Sequence, residues 1–356
     1  MSDHKAAAFA VPGDISAPTG GYRYDRHLLR ALRGTGMDVS LVPLPGGFPF
    51  PSAAGMAEAL AALEQVPPDR ALLVDGLAFG ALEKAALDRL RAPVVALVHH
   101  PLADESGLSA QAARGLRAVE RANLARAVHV LVPSPHTRDA LASGYGVDPA
   151  RMTVIRPGRP EPAPAQAPPE QDDPPLILSV GLLHPRKGHD ILISALEQLV
   201  DLDWRAVIVG APWAPGHDAA LSRRIEAAGL AGRVRLAGRI GRAELDQLYQ
   251  RACVFALATR HEGYGMVFDE ALVHGLPIVS TTAGAVPGTV PRDAGVLVPP
   301  DDARSFATAL RDLLADETAR ARRSAAAAQA GAALPTWAEA AERAAAVLTR
   351  AAGATA

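Results

Sequence analysis

Short apolar runs recur along this chain, and between them apolar residues return every three or four positions. Runs of that length read as strands buried on both faces, and the spacing between them reads as amphipathic helix. In the first half the runs fall at 6–11, 39–42, 71–75, 94–98, 127–132 and 152–155. A second set follows at 176–180, 205–209, 233–237, 254–258, 278–281 and 294–298. Strand alternating with helix predicts parallel sheets joined by right-handed crossovers. Between the two sets the segment RPGRPEPAPAQAPPEQDDPP is too rich in proline for either element and predicts an extended linker. The expected organisation is a Rossmann-like domain over 1–158, a linker over 159–175, a second Rossmann-like domain over 176–334 and a terminal helix over 335–356, opened by Pro335-Thr336-Trp337. The fold class is therefore α/β, with two doubly wound parallel sheets.

Composition narrows the function classes. At 356 residues the chain exceeds the ~250–300 at which single cores stop growing. Apolar content of 49% and a mean hydropathy of +0.09 describe a globular protein, and no run approaches the ~20 apolar residues that span a bilayer. A net charge of −2 gives no reason to expect a nucleic-acid partner. Cys253 is the single cysteine, which excludes an intrachain disulfide or a cysteine metal cluster and suits a core position in a reducing compartment. The amino terminus is polar and then briefly apolar, the length of a first strand and not of a signal peptide's core, so a cytoplasmic location is expected.

The candidate chemistry gathers where strands end, because open α/β sheets bind ligands at their carboxyl edge. After the run 254–258 comes TRHEGYGMVFDEALVH, which places Glu262 in a loop and Glu270 about one turn into a helix expected over 266–274, with Met266, Val267, Ala271 and Leu272 inward. After the run 176–180, Arg186, Lys187 and Gly188 stand at a helix entry, a fork, a point charge and free N–H groups that suit a diphosphate. The first strand leads into Thr19-Gly20-Gly21 and a helix over 22–33 that carries Arg23, Arg26, Arg30 and Arg33 on one face. That stripe reads as a solvated face, with anionic lipid or an acidic acceptor as the alternative. The fourth run ends in His99-His100-Pro101, followed by Asp104 and Glu105, which could orient a histidine or meet an acceptor.

Taken together, these segments resemble the retaining glycosyltransferases of family 4, whose fold is called GT-B. The resemblance rests on GLLHPRKGHDILISAL, EGYGMVFDEALVHGLPIVS and DAGVLVPPDDARSFATAL, with weaker matches in GGYRYDRHLLRAL, VHHPLADE, VPSPHTRDAL and VIRPGRP. It implies two Rossmann-like domains facing across a cleft, the second holding a nucleotide sugar and the first an acceptor, with the last helix returning to the first domain. Carried onto this sequence, Arg186 and Lys187 would grip the donor diphosphate and Glu270 the ribose hydroxyls. Glu262 would lie beside the reacting sugar carbon, and Gly263, Tyr264, Gly265 and Met266 would lend backbone amides. His99 would reach the sugar, with His100 as its substitute, and Gly20 and Gly21 would lie near the phosphates. The chain departs from the family at Pro157, where asparagine is usual, and at Pro287-Gly288, where Pro-Glu is usual.

The resemblance implies hexosyl transfer from a UDP-, GDP- or ADP-sugar with retention, with no metal and no resident cofactor, to an acceptor that is a saccharide, a lipid or a small molecule. Peripheral contact with a membrane is compatible with the arginine stripe. Asp201-Leu202-Asp203 has the spelling of a metal motif but precedes a strand, and reads as a solvated turn. The rival functions are a phosphorylase or sugar-nucleotide epimerase of the same fold, or a nucleotide-sugar binder without catalysis. A dehydrogenase lacks the Gly-x-Gly-x-x-Gly that would support it.

Overall fold

The computed structural model describes residues 6–105, 107–160 and 173–353. Most of the expected linker, 161–172, lies outside the described residues. The chain divides into two compact units, Met1–Gly158 with Pro335–Ala356, and Arg159–Leu334.

The first unit is built on six parallel strands: β1 (Ala6–Pro12), β2 (Asp38–Leu44), β3 (Ala71–Asp75), β4 (Val94–Leu97), β5 (His129–Val132) and β6 (Met152–Val154). Their order is β2-β1-β3-β4-β5-β6, with Phe9 opposite Leu41 on one side and Leu73 on the other. Alternate strand residues, Ala8 and Ala10, Leu72 and Val74, Val130 and Val132, enter one core with the helical Leu60, Leu63 and Leu141. The fifth run starts later than its apolar pattern suggests. Ala127 donates its N–H to Asn123 O, so it closes the preceding helix before the strand begins. The helix Trp337–Gly353 packs against the helix Gly20–Gly34 and completes this unit. Trp337 stacks on His27 at 5.0 Å, and Gly158 lies so close to the Trp337 backbone that a Cβ there would fall 2.2 Å from its nitrogen.

The second unit has strands β7 (Leu176–Val180), β8 (Arg205–Val209), β9 (Val234–Gly238), β10 (Val254–Leu257), β11 (Ile278–Thr281) and β12 (Gly295–Val298), in the order β12-β11-β10-β7-β8-β9. The strands β7, β10 and β11 are buried on both faces. Ile177, Ala206, Ile208, Val254 and Ala256 enter one core, and Leu178, Val207, Val209, Phe255 and Leu257 the other. Cys253 is buried in the first of these. The helix Met266–Val273 departs in part from its expected inner face: Phe268, Ala271 and Leu272 are buried and Val267 packs half-buried against the same core, while Met266 is half-buried. The helix is covered on both sides, by the sheet and by the helix Glu317–Ala332, whose Gly331 meets the Leu272 backbone. Among the described residues, no helix is long and apolar enough to cross a membrane.

Candidate active site

In the second unit the chain leaves β7 toward β8 on one side, while β10 lies on the other, so the two neighbouring strands bound a topological switch point. Crevices form outside the carboxyl ends of such strands. The loop after β7 carries Arg186 and Lys187, and the loop after β10 carries Thr259 and Glu262. Gly188 locks the two loops together. Its φ is +65°, and a Cβ there would sit 1.8 Å from Ala258 O, so only glycine fits. The backbone continues the clasp, with Arg260 N donating to Arg186 O at 2.7 Å.

Within that clasp Lys187 Nζ lies 2.6 Å from Glu262 Oε1, and the Thr259 hydroxyl donates to the same oxygen at 3.0 Å. Arg186 Nη1 donates to His261 O at 2.9 Å and stands 3.7 Å from Glu262 Oε2. Glu262 is 4% exposed. Burial pushes its carboxyl up, but the Lys187 and then the Arg186 charges, with the hydrogen bonds from Lys187 and Thr259, outweigh that and hold it below the usual range. Gly284, at φ +57°, holds the Glu262 backbone from the far side, where Ala285 N donates to Glu262 O at 2.8 Å. Arg260 braces the rim, reaching both oxygens of Asp190 at 2.9 and 2.8 Å and Asp301 at 2.7 Å.

Glu270 is 1% exposed in the helix that follows the loop. It acts on Arg242: burial disfavours the Arg242 charge, while Asp246 and then the Glu270 charge hold it up. Gly265, at φ +90° against the Phe268 ring, makes the turn between the loop and that helix, and the buried Tyr264 accepts Thr289 Oγ1 on its carbonyl at 2.9 Å. Gly263 and Met266, on either side, are half-buried. His189 was not anticipated. It is buried at the start of the helix His189–Leu196, and burial and then the Lys187 charge press it down to about 3, so it is neutral. Asp201 of the Asp-x-Asp sequence lies before β8 and pairs with Arg311 at 2.6 Å.

In the first unit the two adjacent histidines part company. His99 Nε2 lies 3.0 Å from Asp25 Oδ1 and 3.5 Å from Asp75 Oδ2, whereas His100 Nε2 bonds the more exposed Glu105 at 3.0 Å. Asp25 and Asp75 are buried. Burial and then the Asp25 charge raise the Asp75 carboxyl, with His99 opposing them. For His99, burial disfavours the charge, but Asp25 and then Asp75 more than offset it, and the net shift is upward. These three donor atoms lie within 4.8 Å of one another, so among the described residues this is the carboxylate–histidine group that could embrace a single cation. Gly21 borders it, with a Cβ position 3.5 Å from His99 Cδ2, while a Cβ on Gly20 would meet nothing within 4 Å. The loop itself is anchored by Glu120, which accepts Leu102 N–H at 3.0 Å.

The arginine stripe is only in part a solvated face. Arg26 Nη1 donates to Ile15 O and Ala17 O, and Arg33 Nε to Val39 O, so these two bind their own unit's backbone. Arg30 is exposed. Sequence reasoning missed Asp25, Asp75 and Thr259. Asp75 had a signal, since a carboxylate closing an otherwise apolar strand stands at a sheet's carboxyl edge; Asp25 had none, being one polar residue in a helix rich in them.

Comparison with known proteins bears on the family and the fold. Residues 22–160 match Glycosyltransferase Family 4, and residues 162–330 match Glycosyl transferases group 1. A D-inositol 3-phosphate glycosyltransferase from Kineococcus radiotolerans is 32% identical over 209 residues, covering 51% of this chain and 48% of that protein. The protein of the same name from Mycobacteroides abscessus is 31% identical over 246 residues, covering 64% of this chain and 55% of that protein. The chain thus spans about half the length of these curated relatives. In fold it is similar to a sucrose-phosphate synthase from Thermosynechococcus elongatus, with a TM-score of 0.79 at 22% identity over 98% of this chain and 100% of that one.

Proposed function

Because the chain belongs to the group 1, family 4 glycosyltransferases, with their GT-B architecture, we propose that it moves a hexose from a nucleotide-diphosphate sugar to an acceptor hydroxyl, without a metal and with retention. The observation that supports this most is the cluster of Lys187, Arg186 and ionised Glu262 at the switch point of the second sheet. Glycosyl transfer must stabilise a diphosphate as it departs and a sugar carbon as it becomes cationic. Two fixed cations against one carboxylate leave a positive balance for the leaving oxygens. Such preorganised charge contributes a few kcal/mol, on the scale of ~2.7–4 kcal/mol for a single oxyanion donor.

Glu262 is held ionised, so it serves as a negative charge beside the sugar and not as a proton donor. One of its oxygens already carries Lys187 and Thr259. In our reading the acceptor attacks from the face the diphosphate leaves, with no protein nucleophile. The two-carboxylate scheme of glycosidases would instead place a covalent sugar on Glu262. Glu270 is assigned to the ribose hydroxyls and the backbone of Gly263 to Met266 to the donor. Gly20, Gly21 and His99 are assigned to substrate contact, with His99 donating to a hydroxyl or a departing oxygen. The names of the curated relatives make a phosphorylated cyclitol the first acceptor to offer.

The test is transfer by the full chain from UDP-, GDP- and ADP-hexoses to inositol phosphates and free sugars, in a chelator, with the product's anomeric configuration read by NMR. We expect one donor class to release nucleoside diphosphate and give a product of unchanged configuration. An inverted product would exclude retention, and a glycosylated Glu262 would exclude same-face attack. Donor binding without transfer or hydrolysis would leave a binder in place of an enzyme.

A further inference from the structure

Two buried carboxylates, Asp25 from the helix Gly20–Gly34 and Asp75 from the end of β3, converge on one nitrogen of His99. Two acids this close cannot both ionise in a buried site unless a positive charge stands between them. Local structure enforces the approach. A Cβ on Gly76 would lie 2.8 Å from Leu97 O, so the ends of β3 and β4 meet closely, and Asp75 Oδ1 is fixed by Leu77 N–H at 3.0 Å. Gly21 closes the Cδ2 edge of the ring, the Tyr24 ring packs edge-on at 5.0 Å, and the Thr137 hydroxyl donates to His99 O.

We propose that Asp25 and Asp75 are positioning residues that hold His99 as an imidazolium, its Nε2–H committed to the carboxylates and its Nδ1–H left for an anionic or hydroxyl oxygen of the substrate. Among the described residues, Tyr22 and Tyr24 stand on the same helix as Asp25, and His100, paired with Glu105, comes next along the loop. Tyr22 feels the same negative charge: burial and then Asp75 and Asp25 push its hydroxyl up to about 12, so it stays neutral. Through the cluster, a histidine that would ordinarily lose its charge near neutral pH keeps it, and Nδ1 stays a donor where a neutral ring, its one N–H held at Nε2 by the carboxylates, would present only a lone pair there. The triad stands on its own geometry; only the target of the Nδ1–H rests on the proposed sugar transfer.

The experiment follows the histidine signals of the full chain, labelled with nitrogen-15, as pH is raised, with His99 assigned by its loss in His99→Gln. We expect His99 to stay doubly protonated beyond the ordinary imidazole midpoint of ~6.5. Its midpoint should fall by at least one pH unit in Asp25→Asn and by a smaller amount in Asp75→Asn. The alkaline limb of kcat should fall with it. A wild-type midpoint at or below 6.5, or one unmoved by Asp25→Asn, would overturn the proposal. So would selective broadening of the His99 signals by stoichiometric Mn²⁺, which would assign the cluster to a metal. Should Asp25→Asn not fold, the wild-type midpoint and Asp75→Asn decide. The titration is read without turnover, so a chain that transfers no sugar would fail the functional reading and leave this one standing or falling separately.

Discussion

Lys187 and Glu262 are each other's solvation: a half-buried ammonium and a buried carboxylate 2.6 Å apart. Removing one partner of such a pair leaves a buried charge uncompensated, typically at ~3–5 kcal/mol. Lys187→Ala should therefore lower both stability and activity, with turnover falling two orders of magnitude or more. The double variant Lys187→Ala with Glu262→Gln should recover most of the thermal stability and none of the activity; recovery of both would remove Lys187 from the chemistry. Glu120 makes the opposite case. Burial raises its carboxyl from 4.5 to about 7. An acid whose folded value is raised costs nothing below its unfolded value, and the cost grows as pH rises until it is complete above the folded one. Glu120→Gln should then be more stable than wild type at pH 8, with the advantage vanishing toward pH 5 in thermal melts. At this scale the basic pair and Glu262 were legible from residue type and placement. The partners Asp25 and Thr259 were not, because which side chains of separate elements meet is decided by packing.

At the scale of the element, the site depends on how closely two strand ends approach. Gly188 carries a left-handed backbone and sits where a Cβ would overlap Ala258 O. Gly188→Ala would force the loop of Arg186 and Lys187 away from β10, at ~1–3 kcal/mol for overpacking with the backbone strain added to it. We expect that variant to lose donor-dependent thermal stabilisation even where it folds, whereas Gly20→Ala, with nothing within 4 Å of the new methyl, should melt like wild type. An unshifted nucleotide response in Gly188→Ala would separate the clasp from donor binding. The strands themselves were readable because burial on both faces leaves continuous apolar runs, as in β7 and β10. Their ends were less so. Ala127 is as apolar as a strand residue, yet its N–H belongs to the helix before it. Phe268 was left off the expected inner face for a related reason: periodicity predicts one inner face, and a short helix covered on both sides has two.

Across the whole molecule the two units are completed differently. The second lies within Arg159–Leu334, while the first takes residues from both ends of the chain. From the helix Trp337–Gly353, Ala340, Ala341, Ala344, Val347, Leu348 and Ala351 are buried, and Trp337 adds its stack on His27 and an edge contact to Tyr24 at 5.3 Å. Fully burying a Val or Leu is worth ~1.5–3 kcal/mol, so losing this helix removes more than ~5 kcal/mol, a large part of the 5–15 kcal/mol that holds a domain. A chain ending at Leu334 should consequently lose the cooperative melting of its first unit. Its second unit keeps Lys187, Arg186, Glu262 and Glu270 with both of its cores, so a nucleoside diphosphate that binds there should still raise that unit's transition, by ~2.7 kcal/mol at 100 times the dissociation constant. Tryptophan emission can follow the second unit alone in the truncated chain, because Trp204 and Trp213 remain and Trp337 is gone. Loss of the nucleotide response on truncation would place an essential part of the donor site outside the second unit.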